Sequence, residues 1–368
     1  MSIYMDYAAT TPMNRSVLEA MRPYFFESFT TLNYREHIQE ALETASKKVA
    51  DAIGAEPGMI RFTFGGTHAN HLALEAVAGE IIAEGRSSKN TENQRKTIVI
   101  SAVEHPSVRN GAKALEERGF SVEICPVDAL GKVDLKALEA LVSEDTALVS
   151  VMLYNNETGT RQPVEAIAEV THLKGALFHI DAVQGMGAET LDVKTLGADL
   201  LSVSAHKIYG PKGCGALYNR NGWPDEMRCD AYANLTNIVG FGQAAARLHP
   251  EQRKTVESLK VLLIRGLDSL DAGIRFNGLS ADSHPGILNV YFQNADSDAL
   301  LIGYDMHGIA VSAGSACSSG AVGASPVLLA MGFSESEARR CLRFSMGEGL
   351  TKTDIEYVVE VTRKLVKG

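Results

Sequence analysis

The stretch "DLLSVSAHKIYGPKGCGALY" (residues 199–218) runs an apolar segment up to Val203, presents serine, histidine and lysine in quick succession, and turns on glycine and proline into a second apolar segment. Lysine is almost never fully buried without a partner. A strand that ends by offering Lys207 therefore implies a group that uses the amine. Working outward, the same texture recurs: "MIRFT" (59–63), "TIVIS" (97–101), "SVEIC" (121–125), "ALVSVML" (147–153) and "ALFHI" (176–180) are short, apolar and rich in β-formers. Helix-like stretches such as "NHLALEAVAGEIIAEG", "DLKALEALVSE" and "VEAIAEVTHL" lie between most of them, and "EHIQEALETASKKVADAIG" carries Ile38, Leu42, Ala45, Val49 and Ile53 on one stripe before Gly54. Near-continuous apolar strands separated by amphipathic helices predict an α/β fold with a mainly parallel, seven-stranded sheet covered on both faces.

After about Gly242 the pattern changes to a long helix, strand-like "GILNVYF", a helix from about Asp296, strand-like "IAVSAG" and a final helix near 352–366. This predicts a large domain over 15–250 and a small α+β domain formed by 1–14 with 251–368. The whole chain, 368 residues with 45% hydrophobic and 22% charged content, is ordinary for a globular protein. A formal net charge of −10 argues against nucleic-acid or anionic-membrane partners, which need a basic footprint. No signal peptide or spanning run is evident, so a cytoplasmic location is the default expectation. The five cysteines are scattered, without metal-ligand spacing, so no metal is expected.

In an open parallel sheet ligands bind beyond the carboxyl ends of the strands, so the residue after each apolar run is diagnostic. His105 follows "TIVIS", Asn155 and Asn156 follow "ALVSVML", Asp181 and Gln184 follow "ALFHI", and Ser204, His206 and Lys207 follow "DLLSV". After "MIRFT" comes a glycine turn opening a helix, with Gly66, Thr67 and His68. Any one of these has a bland explanation as a turn, cap or core histidine; their convergence on one sheet edge does not. The set matches the needs of pyridoxal 5'-phosphate. Lys207 would bind the aldehyde, Asp181 would keep the pyridine nitrogen protonated, and His105 would stack on the ring. Asn155 and Gln184 would bond the phenolic oxygen, while Gly66, Thr67, His68, Ser204 and His206 would hold the phosphate.

At this point "YMDYAATTP", "FGGTHAN", "EHPSV", "NNETGTRQP", "DAVQ", "SAHKIYGPKG", "GSACSSG" and "RFSMG" resemble, in order from end to end, the motifs of cysteine desulfurases of the NifS/IscS group, in the class-V aminotransferase family. The resemblance implies the aspartate-aminotransferase fold (fold type I), a homodimer, and conversion of L-cysteine to L-alanine with transfer of sulfur to an enzyme cysteine. Cys317 in "GSACSSG" matches that cysteine, His105 would handle protons, and Arg343 matches the arginine that binds the substrate carboxylate, with Asn155 beside it. An acceptor or activating protein would complete the pathway. A selenocysteine or C–S lyase, and a non-catalytic scaffold, stay open as alternatives.

Three departures stand out. "FTTLNYREH" (29–37) is shorter than the family's "GNPSS…H" segment and lacks it. "NRNGWPDEMRCDAYANLTN" (219–237) lacks the glycine- and arginine-rich insertion whose threonine reaches the neighbouring subunit's phosphate, and Tyr232 is not assigned that role. His68 stands where the family has glutamate. The first two predict an unusually open cleft.

Overall fold

The computed structural model describes residues 2–25, 32–87, 95–224, 231–313 and 323–367. Among these, thirteen strands run in chain order: β1 (Ile3–Tyr4), β2 (Ile60–Thr63), β3 (Thr97–Ser101), β4 (Ser121–Cys125), β5 (Thr146–Met152), β6 (Leu177–Asp181), β7 (Leu200–Ser204), β8 (Gly215–Asn219), β9 (Ile274–Asn277), β10 (Ile287–Phe292), β11 (Ile309–Ala310), β12 (Ser312–Ala313) and β13 (Cys341–Ser345).

Strands β2 to β8 form one seven-stranded sheet in the order β2-β8-β7-β6-β5-β3-β4. Neighbours from β7 through to β4 pair in parallel, and β8 alone runs against both of its partners. The expected mainly parallel sheet is what the chain forms. Its strands read as continuous apolar runs because each face has its own core. Val99, Val149, Val151, Phe178, Ile180, Leu201 and Val203 pack into one cluster. Their alternates Ile98, Ile100, Leu148, Leu200 and Leu217 pack into another, under the helices Gly66–Ser87 and Pro106–Glu116.

The carboxyl ends of β3, β5, β6 and β7 share one edge, with register pairs Met152–Asp181 and Asp181–Ser202. From β3 the chain steps outward to β4, then returns past β3 to β5 and proceeds the other way to β6 and β7. The crevice expected at such a reversal falls between the ends of β3 and β5.

The smaller layer is an antiparallel sheet, β12-β13-β10-β9, covered by helices Pro250–Asp268 and Lys352–Lys367. Ile3 and Met5 join Leu263, Leu288, Phe344 and Val358 in its core, and β1 pairs with β11 in a two-stranded parallel sheet. "IAVSAG" is therefore two short strands in different sheets, not one.

Candidate active site

A cavity of about 420 Å³ opens at the carboxyl edge of the large sheet. It is lined by His105 after β3, Asn156 after β5, Asp181 and Gln184 at the end of β6, His206 and Lys207 after β7, and Gly66 and Thr67 at the start of a helix. The residues expected from separate motifs are thus brought together by strand order alone.

The N-terminal segment closes one wall. Lys207 Nζ donates to the carbonyl of Ala8 and, at 2.9 Å, to that of Ala9. Gln184 Nε2 donates to the Ala8 carbonyl at 2.9 Å. His206 Nδ1 lies 3.1 Å from Thr10 Oγ1. Burial, reinforced by Lys207 and Lys212, lowers the His206 pKa to about 4, so its ring is neutral. Two residues beyond the lysine, Tyr209 adopts φ +64°. Its N–H donates to Thr11 Oγ1 at 2.7 Å, a strained turn that the same segment secures.

At the other end, Asp181 is 5% exposed. Its carboxylate accepts from Asn70 Nδ2 at 2.7 Å and from the Val183 N–H at 3.0 Å. His105 caps the helix Pro106–Glu116 through Nδ1, which accepts from the Ser107 N–H at 3.1 Å. Burial, then the charges of Lys207 and Arg109, hold the His105 pKa below the usual imidazole value, against the pull of Asp181.

Two expectations need correction, and a third residue takes an unexpected place. The Asn155 side chain does not face the cavity. Its Oδ1 accepts from the N–H groups of Glu157 and Thr158, both at 2.9 Å, and its Nδ2 donates to the Val103 carbonyl at 3.0 Å. It fixes the turn after β5, and the lining position falls to Asn156. His68 also turns away: its Nδ1 accepts from the Phe64 N–H at 3.2 Å and its ring stacks on Phe64, 5.4 Å between centroids. Its imidazole is therefore not a phosphate ligand here. Arg343 is 1% exposed and lies beside the cavity rather than in its lining. Its guanidinium pairs with Asp6 Oδ1 at 2.7 Å and donates to the Asn156 carbonyl at 2.9 Å, which joins it to the site through Asn156. Cys317 and parts of the two shortened segments lie outside the described residues.

Sequence reasoning missed Asn70, Ser107, Thr10 and Lys212, and it named Asn156 without giving it a role. Asn70 lies one helical turn after Gly66, and Thr10 sits inside a motif already noted; both signals were in view. The thiols among the described residues are buried and held in the neutral form: burial raises Cys125 and Cys341 to about 12 and Cys214 higher still.

These residues fit pyridoxal phosphate. Ser204 Oγ is buried without a hydrogen-bond partner, and a Cβ on Gly66 would sit 3.6 Å from Ser204 Cβ, so an unused donor lies under the helix N-terminus. That end suits an anion, the Asp181 carboxylate suits a protonated ring nitrogen, and Lys207 lines the same cavity.

A family model described as aminotransferase class-V matches residues 3–232 and 232–358. The chain belongs to the class-V aminotransferase family. This family member is 36% identical over 384 residues to a protein named cysteine desulfurase IscS from Clostridium botulinum (strain Hall), covering 99% of this chain and 94% of that one. It is 39% identical over 385 residues to its namesake from Anaeromyxobacter sp. (strain Fw109-5), covering 99% and 92%. Among solved structures, a NifS-like protein superposes with a TM-score of 0.87 at 32% identity over 99% of both chains. SspA, solved in complex with cysteine, gives 0.80 at 30% identity over 94% of this chain and 99% of that one. The fold is that of the fold type I aminotransferases, and family and fold together imply pyridoxal phosphate and desulfurase-type chemistry.

Proposed function

We propose that this protein is a pyridoxal-phosphate-dependent cysteine desulfurase: L-cysteine is converted to L-alanine and its sulfur atom passes to the Cys317 thiol as a persulfide. The sum balances, since cysteine and a thiol contain the same atoms as alanine and a persulfide. The carrying observation is that Lys207, Asp181 and His105 come from three different strand ends to one cavity. When bound, pyridoxal phosphate supplies the electron sink that makes the substrate's Cα–H and Cβ–S bonds labile. Lys207 holds the cofactor, Asp181 holds the proton of its ring nitrogen, and the helix start at Gly66 with Ser204 holds its phosphate. Arg343 would take the substrate carboxylate with the planar fork that lysine lacks, and His105, which lines the same cavity, would supply a proton donor to the substrate. L-Cysteine as substrate draws support from the cysteine complex of SspA.

The shortened segments favour a homodimer or a sulfur-accepting partner that completes the cleft, in the cytoplasm. Family-typical turnover by the isolated protein would remove the need for such a partner. The main test incubates the cofactor-loaded protein with L-cysteine and a thiol reductant. Equal yields of alanine and sulfide are expected, and Cys317→Ala should abolish both without loss of the yellow cofactor. Sulfide release surviving in Cys317→Ala, with pyruvate in place of alanine, would establish a C–S lyase instead.

A further inference from the structure

We propose that Asn70 and Ser107 are positioning residues that fix His105 as the neutral imidazole protonated on Nε2, and that Asp181 sets this state through them. Four groups form one chain. Asn70 Nδ2 donates to Asp181 Oδ2 at 2.7 Å and to Ser107 Oγ at 2.9 Å, and Ser107 Oγ lies 2.7 Å from His105 Nδ1. Asn70 is 1% exposed, Ser107 5% and Asp181 5%, so water does not compete for these bonds.

Two fixed groups set the directions of the hydrogen bonds, the Asp181 carboxylate at one end and the Ser107 backbone N–H at the other. An ionised carboxylate only accepts, so the Asn70 amide must turn its NH₂ toward Asp181. The second N–H of that NH₂ then points at Ser107 Oγ. A hydroxyl that accepts there keeps its own proton to give, and His105 Nδ1, at 2.7 Å, can take it because that nitrogen already accepts from the backbone. The Ser107 backbone N–H donates to the same nitrogen at 3.1 Å. With two donors aimed at Nδ1, the ring's proton resides on Nε2. Charging the ring would place a proton on Nδ1 and leave the Ser107 N–H, and its hydroxyl, without their acceptor. Asp181 from β6, Lys207 after β7 and Arg109 on His105's own helix are the charges that act on the ring. Asp181 favours the imidazolium; Lys207 and Arg109 oppose it.

The inference deepens the proposed function: under that reading, His105 meets the substrate as a hydrogen-bond donor through Nε2. Sequence alone does not show this, since neither Asn70 nor Ser107 belongs to the strand-end set.

The state of the ring is read directly by ¹⁵N NMR of the cofactor-loaded protein labelled at histidine, with the His105 signals assigned by their loss in His105→Gln. The expected result is a protonated Nε2 and a lone-pair Nδ1 from pH 6 to 8. Ser107→Ala should raise the His105 pKa by about 0.5–1 unit, the worth of one hydrogen bond to the neutral form. Ser107→Thr, which keeps the hydroxyl, should restore it, and Asn70→Ala should shift the pKa less than Ser107→Ala, since the Ser107 N–H still donates to Nδ1. In turnover of cysteine, Ser107→Ala should move the acid limb of kcat/KM to higher pH, with kcat falling more than KM changes. A proton on Nδ1 in the unaltered protein overturns the proposal, and so does an unshifted His105 pKa in Ser107→Ala. The NMR measurement needs no turnover, so absence of desulfurase activity would count against the proposed function while leaving this inference to stand or fall on the ring itself.

Discussion

Replacing Asn155 by alanine would remove a buried amide whose oxygen receives two backbone N–H groups and whose nitrogen reaches the Val103 carbonyl. Leaving those groups unpaired costs about 2–4 kcal/mol, so Asn155→Ala should lower the urea midpoint markedly. Asn156→Ala, one residue on, should leave the midpoint nearly unchanged and instead weaken cofactor or cysteine binding, because its side chain lines the cavity. A reversed pattern would overturn both assignments. The sequence shows that an amide follows β5, but not which of two adjacent asparagines faces the crevice. That depends on how the Asn155–Thr158 turn folds back on itself. Lys207, Asp181 and Gln184 were legible because each follows a single unambiguous strand. Asn70 and Ser107 stood inside quoted motifs but carried no role there, because the bonds that join Asn70 to Ser107 and Asp181 are made across the fold.

The helix Gly66–Ser87 approaches the sheet so closely that a Cβ on Gly66 would lie 2.7 Å from Val183 Cγ2. Valine is stiff at χ1, so Gly66→Ala should displace the helix start that faces the phosphate end of the cavity. A loss of about 1–3 kcal/mol in stability should accompany weaker cofactor binding, measured by fluorescence titration. Gly79 on the same helix has nothing within 4 Å of the place an alanine methyl would occupy. Gly79→Ala should therefore stabilise the protein by about 1 kcal/mol with cofactor affinity unchanged; equal effects on affinity at the two sites would argue against the close-approach explanation. All seven strands of the large sheet were legible as elements: double-sided burial writes the central ones as apolar runs, while the edge strand β4, largely exposed, was legible from its alternating β-formers. β9 and β13 were not: "IRFN" carries Arg275, and "CLRFS" carries an Arg343 that is buried only because Asp6 and the Asn156 carbonyl pair with it. A charge that reads as solvated in one dimension is neutralised by a segment more than three hundred residues away.

Across the whole molecule the N-terminal segment is the tie between the layers, joining Lys207 and Gln184 through Ala8 to Arg343 through Asp6. We propose that the division into 15–250 and 1–14 with 251–368 follows this arrangement. The same interior holds ionisable groups of two kinds, whose opposed linkage shapes stability against pH. Burial lowers His206 to about 4 and His179 and His284 to about 3, from an ordinary 6.5. Stability from such depressed groups is fully present above 6.5 and is lost as pH falls toward 3–4. Burial raises Glu157 to about 7 and Glu104 to about 8, from an ordinary 4.5. Their contribution is fully present below 4.5 and is lost as pH rises through those values, by roughly 1.4 kcal/mol per pH unit for each group. Three histidines outweigh two glutamates between pH 4.5 and 6.5, so stability should peak near pH 6.5 and decline toward pH 8, where Glu104 alone still changes charge. Lys260, lowered to about 8, acts in the opposite sense only above that pH. Glu104 Oε1 accepts from Ser101 Oγ and the Met152 N–H while Oε2 has no partner. Glutamine can keep the first role without ever ionising. Urea unfolding of Glu104→Gln should therefore show a flat course between pH 7 and 8 where the unaltered protein declines, and parallel declines in the two proteins would remove Glu104 as the source.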